Sequence, residues 1–448
     1  MQITTTDLEQ MSVGRLFRLY FIPTLMGMLS IAAMTAIDGA FAGYVSGSDG
    51  IAAINIVVPI QMVMTGFGLM LGVGSSVSAS IALANGHVNK ARVMVSGSIV
   101  FASIATIIIV SAIEFIPNVV GRLLGASENL MPPVYDYMVW LMPGMLFQVW
   151  GAIGLLAVRL DGAPKVAMIC NVIPALTNIF LDWLLMIPFD MGVKGAAIAS
   201  TSSMAIGGTI AISYLFFRAK TLRFTLNQRV KETLRNVFYD MKIGVSALMG
   251  EATMGVLMFI GNIVFMQYLG DNGVAAFGIA CYYMPFVFMV GNAIAQSVQP
   301  IISYNYARHS SSRVHSAEKA AAITGIASGI IISLAFLFIP ELLVGIFIDA
   351  SSQTYKIAVG GFPWFSFGFI FFILNLVFIG YFQSVERIQA SVFFALLRGV
   401  VVLIPAFYIA PLLWGVPGIW LALGLSELIT LSTIVLYYIR RKKWHNYL

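Results

Sequence analysis

Residues 166–187 read Val-Ala-Met-Ile-Cys-Asn-Val-Ile-Pro-Ala-Leu-Thr-Asn-Ile-Phe-Leu-Asp-Trp-Leu-Leu-Met-Ile, preceded by Lys165. Asp182 is the only charged side chain in this run. As a helix the run is about 33 Å long, enough to cross a hydrocarbon core of roughly 30 Å. It lacks the strict alternation of a β-barrel strand, so a spanning helix is the expectation.

Cutting the chain at its charged and Gly/Pro/Asn-rich breaks gives twelve such segments. They run 15–44, 52–84, 94–115, 132–158, 166–187, 195–217, 243–269, 274–306, 318–339, 357–383, 389–413 and 417–439. The 448 residues are 59% hydrophobic and 10% charged, against about 25% charged in soluble domains. That balance excludes disorder, a collagenous fibre, a cysteine-stapled secreted scaffold, ordinary soluble enzymes and most nucleic-acid binders. The chain reads as an all-α polytopic membrane protein. Cys170 and Cys281 lie in separate apolar segments without metal-ligand spacing and read as small buried hydrophobes. The polar first thirteen residues and the long first apolar stretch point to a spanning helix that also targets the chain, with no cleaved signal.

Basic residues set the orientation. With a cytoplasmic N-terminus, inner loops and tails hold 21 of the 25, among them Arg15, Arg18, Arg159, Arg229 and Lys442. Only Arg122, Lys194 and Lys356 fall outside, and Arg398 lies within a segment. The bias predicts both termini on the cytoplasmic side, and the net charge of +6 reflects topology and not a nucleic-acid partner.

The chain also repeats itself. Gly50-Ile51-Ala52-Ala53 returns as Gly273-Val274-Ala275-Ala276, Phe115-Ile116-Pro117 as Phe338-Ile339-Pro340, and Gly192-Val193-Lys194-Gly195 as Gly415-Val416-Pro417-Gly418, all three at one common offset. Six segments per copy keep both copies in one orientation, a parallel repeat about the membrane normal. The expectation is a six-helix lobe over 1–217, a cytoplasmic amphipathic linker over 218–242 and a second six-helix lobe over 243–448, with a cleft between the lobes. In the linker Val230, Leu234, Val237 and Phe238 share a helical face suited to the inner leaflet.

Ionisable groups inside a bilayer are costly and are functional candidates by default. Asp38, Asp182, Glu251 and Glu427 are such acids, and Arg398 is the one base so placed. Asn171, Asn178 and Asp182 stand at i, i+7 and i+11, within about 40° of one another on a helix. Carboxylate and amide oxygens suit a small hard cation or an exchanging proton. Ser200 and Thr201 offer hydroxyls, and Asp38 a second carboxylate whose repulsion with Asp182 favours a shared Na+ or proton. None of this set is duplicated: at the repeat offset Gly261 stands for Asp38, Val401 for Asn178 and Pro405 for Asp182. Coupling is therefore expected in the N-terminal half. Glu251 reads as a substrate counter-charge, a proton carrier or a partner of Arg398; Glu427 is the other candidate partner. Pro23, fifteen residues before Asp38, weakens the first helix locally, as a static kink or a bend coupled to Asp38. Some of the 24 Met and 32 Phe residues could line an adaptable apolar cleft.

Several stretches resemble the multidrug and toxic compound extrusion (MATE) family. Gln299-Pro300-Ile301-Ile302-Ser303-Tyr304-Asn305-Tyr306 is similar to its Q-P-I-I-G-Y-N-Y signature. Gly66-Phe67-Gly68, with Gly72, Gly74 and the run to Asn85-Gly86, resembles the matching second-segment pattern. Asn178-Ile179-Phe180-Leu181-Asp182 resembles its N-x-x-L-D, and Gly195-Ala196-Ala197-Ile198-Ala199-Ser200 its G-A-A-x-A-T. The resemblance implies two lobes that alternate access and export cationic or amphipathic compounds against Na+ or H+. It also implies an N-lobe cation site at Asp38, Asn178 and Asp182, with Ser200 where a threonine is usual. Pro23 matches a first-helix proline, and Glu251 the seventh-helix acid of another branch whose tenth-helix acid is missing here. Relatives that flip lipid-linked oligosaccharides supply a second reading, for which Arg398 alone would have to serve a pyrophosphate. No nucleophile or zinc motif supports an enzyme. The expectation is a monomeric transporter of the cytoplasmic membrane, touching lipids and small-molecule substrates, without a cofactor beyond the coupling ion.

Overall fold

The structure is a computed structural model that describes residues 3–225 and 230–445. Arg229 and the middle of the expected linker lie outside those residues. The described residues are almost entirely helical and contain no strand. Among the described residues eight helices are long and apolar enough to cross a membrane, or eleven when each of three bent pairs counts as one span. The bent pairs are Met131–Leu141 with Gly144–Leu160, Gln353–Ser366 with Phe369–Ser384, and Ile388–Val401 with Leu403–Trp414. One of the eight, Val230–Ala307, has 78 residues, about 117 Å at helical rise and far more than one bilayer core. Its backbone breaks at Gly270, with φ 61° and ψ −157°, a conformation that glycine adopts without a side-chain clash. It therefore supplies two spans, and the twelve expected segments are all present.

The duplication is visible in the backbone. Ile116 (φ −132°, ψ 47°) and Ile339 (φ −129°, ψ 38°) both cap a short helix that opens on proline, Pro117 or Pro340. Left-handed residues recur at the repeat offset, Gly86 with His309 and Gly192 with Gly415. The turn bonds around the first pair match as well, Gly86 N to Leu83 O and His309 N to Tyr306 O, both 3.0 Å. Ser303 donates to Ser80 at 2.8 Å, so two residues that correspond in the repeat meet directly.

Two compact units emerge, one of residues up to Glu251 plus Gln299–Val314, the other of Ala252–Val298 plus His315 onward. The division cuts through the seventh and eighth spans instead of following the even 1–217 and 243–448 lobes. Close packing explains it. A side chain at Gly74 would collide with the Asp240 carbonyl, and one at Gly244 with the Met70 carbonyl. Asp240 is fully buried and accepts from Ser78 Oγ at 2.6 Å and Ser98 Oγ at 3.2 Å. The second half of the expected linker is thus the start of the seventh helix. Val230, Leu234 and Phe238 stay exposed along one stripe, while Val237 is buried beside Gly97.

The first half of the linker is tied down by Asp161. Its carboxylate accepts from Tyr214 Oη (2.7 Å) and from the backbone N–H of Lys220 (3.2 Å), Thr221 (2.8 Å) and Leu222 (2.7 Å). Arg159, counted above among loop cations, instead ends the helix Gly144–Leu160 and is 1% exposed.

Candidate functional site

Asp38 sits in the span Val13–Phe41, and Asn178 and Asp182 in Pro164–Met186. Asp182 and Asn178 are one helical turn apart and point to one side. Asp182 is fully buried, Asn178 is buried, and Asp38 is half-buried. Asp38 and Asp182 are close enough for their charges to act on each other, and both act on the buried Tyr137 phenol.

Four oxygens define the site. Both carboxylate oxygens of Asp182, Asn178 Oδ1 and Asp38 Oδ1 are buried and accept no hydrogen bond from the described residues. Asn178 Nδ2 reaches Ser200 Oγ only weakly, at 3.5 Å. A buried carboxylate without a partner costs several kcal/mol, so this arrangement calls for a positive charge. The oxygens are hard donors, which fits Na+ as cargo, and a proton neutralises the same carboxylates. Among the described residues no three His, Cys, Asp or Glu side chains gather to hold a metal ion; the donors here are two carboxylates and an amide.

The other expected residues divide. Thr201 donates its hydroxyl to Trp140 O at 2.7 Å, so its proton is committed to the neighbouring helix. Asn171 packs on the first span: a side chain at Gly27 would lie 3.1 Å from Asn171 Nδ2. Pro23 lies four residues before Gly27, and the helical run continues through it. Next to Pro23, the buried Thr24 hydroxyl has no partner among the described residues. Glu251 is half-buried and packs near the second span, where a side chain at Gly66 would lie 3.6 Å from Glu251 Cβ.

The family model MatE matches residues 23–184 and again 247–409, each half of the duplication in turn. The chain belongs to the MatE family. Multidrug export protein MepA of Staphylococcus saprophyticus is 24% identical over 444 residues, covering 97% of this chain and 96% of that protein. MepA of Staphylococcus aureus strain MRSA252 is 25% identical over 446 residues, with the same coverage. A solved structure of MATE in complex with MaL6 matches with TM-score 0.91 at 18% identity, over 99% of this chain and 100% of that one. The MATE resemblance read from the motifs is thereby shown, and with it a multi-pass membrane protein.

This MatE chain carries a second buried cluster that its sequence only half revealed. Arg398 Nε donates to both oxygens of Glu427, at 2.7 and 2.9 Å. Asn375 Nδ2 donates to Glu427 Oε2 at 2.6 Å and to its backbone carbonyl at 2.8 Å. The Arg398 guanidinium lies 4.0 Å from the Phe372 ring centroid, a cation–π contact. Arg398 is therefore paired with Glu427, and at 2% exposure it offers no surface charge for a pyrophosphate. Tyr137 and Asn375 escaped the sequence reading. An acid search passes over Asn375, and nothing in the pattern around Tyr137 sets it apart from other apolar-segment tyrosines.

Proposed function

We infer that this MatE protein is a secondary active antiporter exporting amphipathic or cationic small molecules by alternating access, driven by entry of Na+ or H+ at an N-terminal acidic site. The carrying observation is the set of four unpartnered oxygens on Asp38, Asn178 and Asp182. A buried anionic site favours whichever state of the protein delivers a cation to it, and that preference is what couples ion to substrate. The MepA relatives, named as multidrug export proteins, support the substrate class. The 24 Met and 32 Phe residues supply apolar, deformable surface for such compounds. The cation bias supports a cytoplasmic membrane location with both termini inside, and the protein acts as a monomer among lipids. Within the site Asp38 and Asp182 hold the ion and Asn178 completes its oxygen set, with Ser200 and Thr201 bordering it.

The test is efflux of a fluorescent lipophilic cation from proteoliposomes under an imposed Na+ gradient, and separately under a pH gradient. Wild type responds to one of them, and Asp182→Asn responds to neither. Equal gradient-driven efflux in wild type and Asp182→Asn contradicts the site.

A further inference from the structure

Each unit buries a carboxylate beside an asparagine amide: Asp182 with Asn178 in one, Glu427 with Asn375 in the other. They differ in what holds the charge. Both Asp182 oxygens lack a partner among the described residues, whereas both Glu427 oxygens are engaged, by Arg398 Nε and, at Oε2, also by Asn375 Nδ2.

The origin of that guanidinium is informative. Arg398 corresponds to Ala175 at the repeat offset, so it arises on the repeat's copy of the helix that carries Asn178 and Asp182. A five-residue π-helical turn, Leu397–Val401, carries it, and such turns interrupt α-helices often at functional positions. Gly399 leaves no space for a side chain against Thr253 Oγ1, which lets this stretch approach closely. Asn375, Arg398 and Glu427 are all at most 2% exposed. An arginine keeps its proton in a protein, and this one is tethered by its own backbone.

We propose that Arg398 is a resident cation: it neutralises Glu427 in the C-terminal unit as the transported ion neutralises Asp182 in the other, and so confines ion coupling to one unit. This rests on the ion-site reading of Asp38 and Asp182. Removing the guanidinium leaves a buried carboxylate beside an amide, as Asp182 lies beside Asn178, and converts Glu427 into a second exchangeable cation site.

The test uses the purified full chain and measures proton release across a pH titration together with equilibrium binding of radioactive Na+. The background is Asp38→Asn/Asp182→Asn, in which the N-terminal site holds no exchangeable cation, and each further step is read as the difference from it. Adding Arg398→Met restores one H+ or Na+ per chain, and further adding Glu427→Gln removes it. A folded Arg398→Met protein that gains neither cation overturns the proposal. Should Arg398→Met fail to fold, Arg398→Met/Glu427→Gln in the otherwise wild-type chain decides. It is expected to keep the wild-type ion-to-substrate ratio, and a changed ratio overturns the proposal because it would make the pair part of the ion route. Absence of cation binding by wild type would refute the N-terminal site alone, since the gain at Glu427 is read without it.

Discussion

Asp182→Asn should make the protein more stable while it abolishes coupling. Asp182 contributes two buried acceptor oxygens without partners, close to the charge of Asp38. The amide replaces one of those acceptors by a donor, offers it to the unpartnered Asn178 Oδ1 or Asp38 Oδ1, and removes the like-charge repulsion. With each unmet buried acceptor costing about 1–3 kcal/mol, the relief is roughly 2–4 kcal/mol. For a unit of this size that is an upward shift of about 4–16 °C in the unfolding temperature. The sign depends on conditions. Carboxylates are ionised in alkaline, Na+-free buffer, where the gain is largest. Protons or Na+ that bind the folded wild type stabilise it by mass action, by about 2.7 kcal/mol at one hundred times Kd, and close the gap. Thermal unfolding of detergent-purified wild type and variant, in choline buffer at alkaline pH and again at acid pH or with Na+, reads this directly. An Asp182→Asn protein no more stable than wild type in the alkaline, Na+-free buffer would refute the reasoning, as would a gain that ignores pH and Na+ alike.

Gly74→Val places a side chain against the Asp240 carbonyl, where backbone leaves no room; overpacking of about 1–3 kcal/mol should lower the unfolding temperature by several degrees. Arg313 holds the N-terminal helix Thr5–Gln10 through Nη2 bonds of 2.8 Å to the carbonyls of Leu8 and Met11. Arg313→Ala should therefore speed amide exchange across that helix about 30-fold, the equivalent of roughly 2 kcal/mol from charged hydrogen bonds, as read by hydrogen–deuterium exchange. The Thr4 backbone N–H and hydroxyl both donate to Asp7 Oδ2 at 2.8 Å, and these bonds hold its carboxyl below its ordinary value of 3.8. A lowered value means that this cap contributes at neutral pH and is lost as pH falls through the folded value, below the unfolded one. Exchange in the same helix, corrected for intrinsic rates, should rise at acid pH in wild type and show no such transition in Asp7→Asn.

The twelve spans were legible because each bilayer crossing demands an apolar run, and the repeat because its turns reuse the same residues: Ile116 and Ile339 even share dihedral angles. The linker was read less well. A pattern of basic and apolar residues shows that Val230, Leu234 and Phe238 share a face, but not that Asp240 finds Ser78 and Ser98 far away in the chain. The same limit applies at the site. Helical spacing put Asn171, Asn178 and Asp182 on one stripe, yet Asn171 packs on Gly27 while the other two keep unpartnered oxygens. Which acid pairs with Arg398 depends on helix packing that sequence spacing does not carry, and Asn375 gained its meaning only from lying beside Glu427.

On the proposed function an ion entering at Asp38 and Asp182 drives a substrate out. The direct measurement follows both fluxes in the same proteoliposomes, efflux of a lipophilic cation and influx of radioactive Na+ or protons. A fixed ratio is expected in wild type, and Asp38→Asn and Asp182→Asn each abolish it. Substrate efflux at the wild-type rate in those variants, or in wild type without any accompanying ion movement, would contradict it.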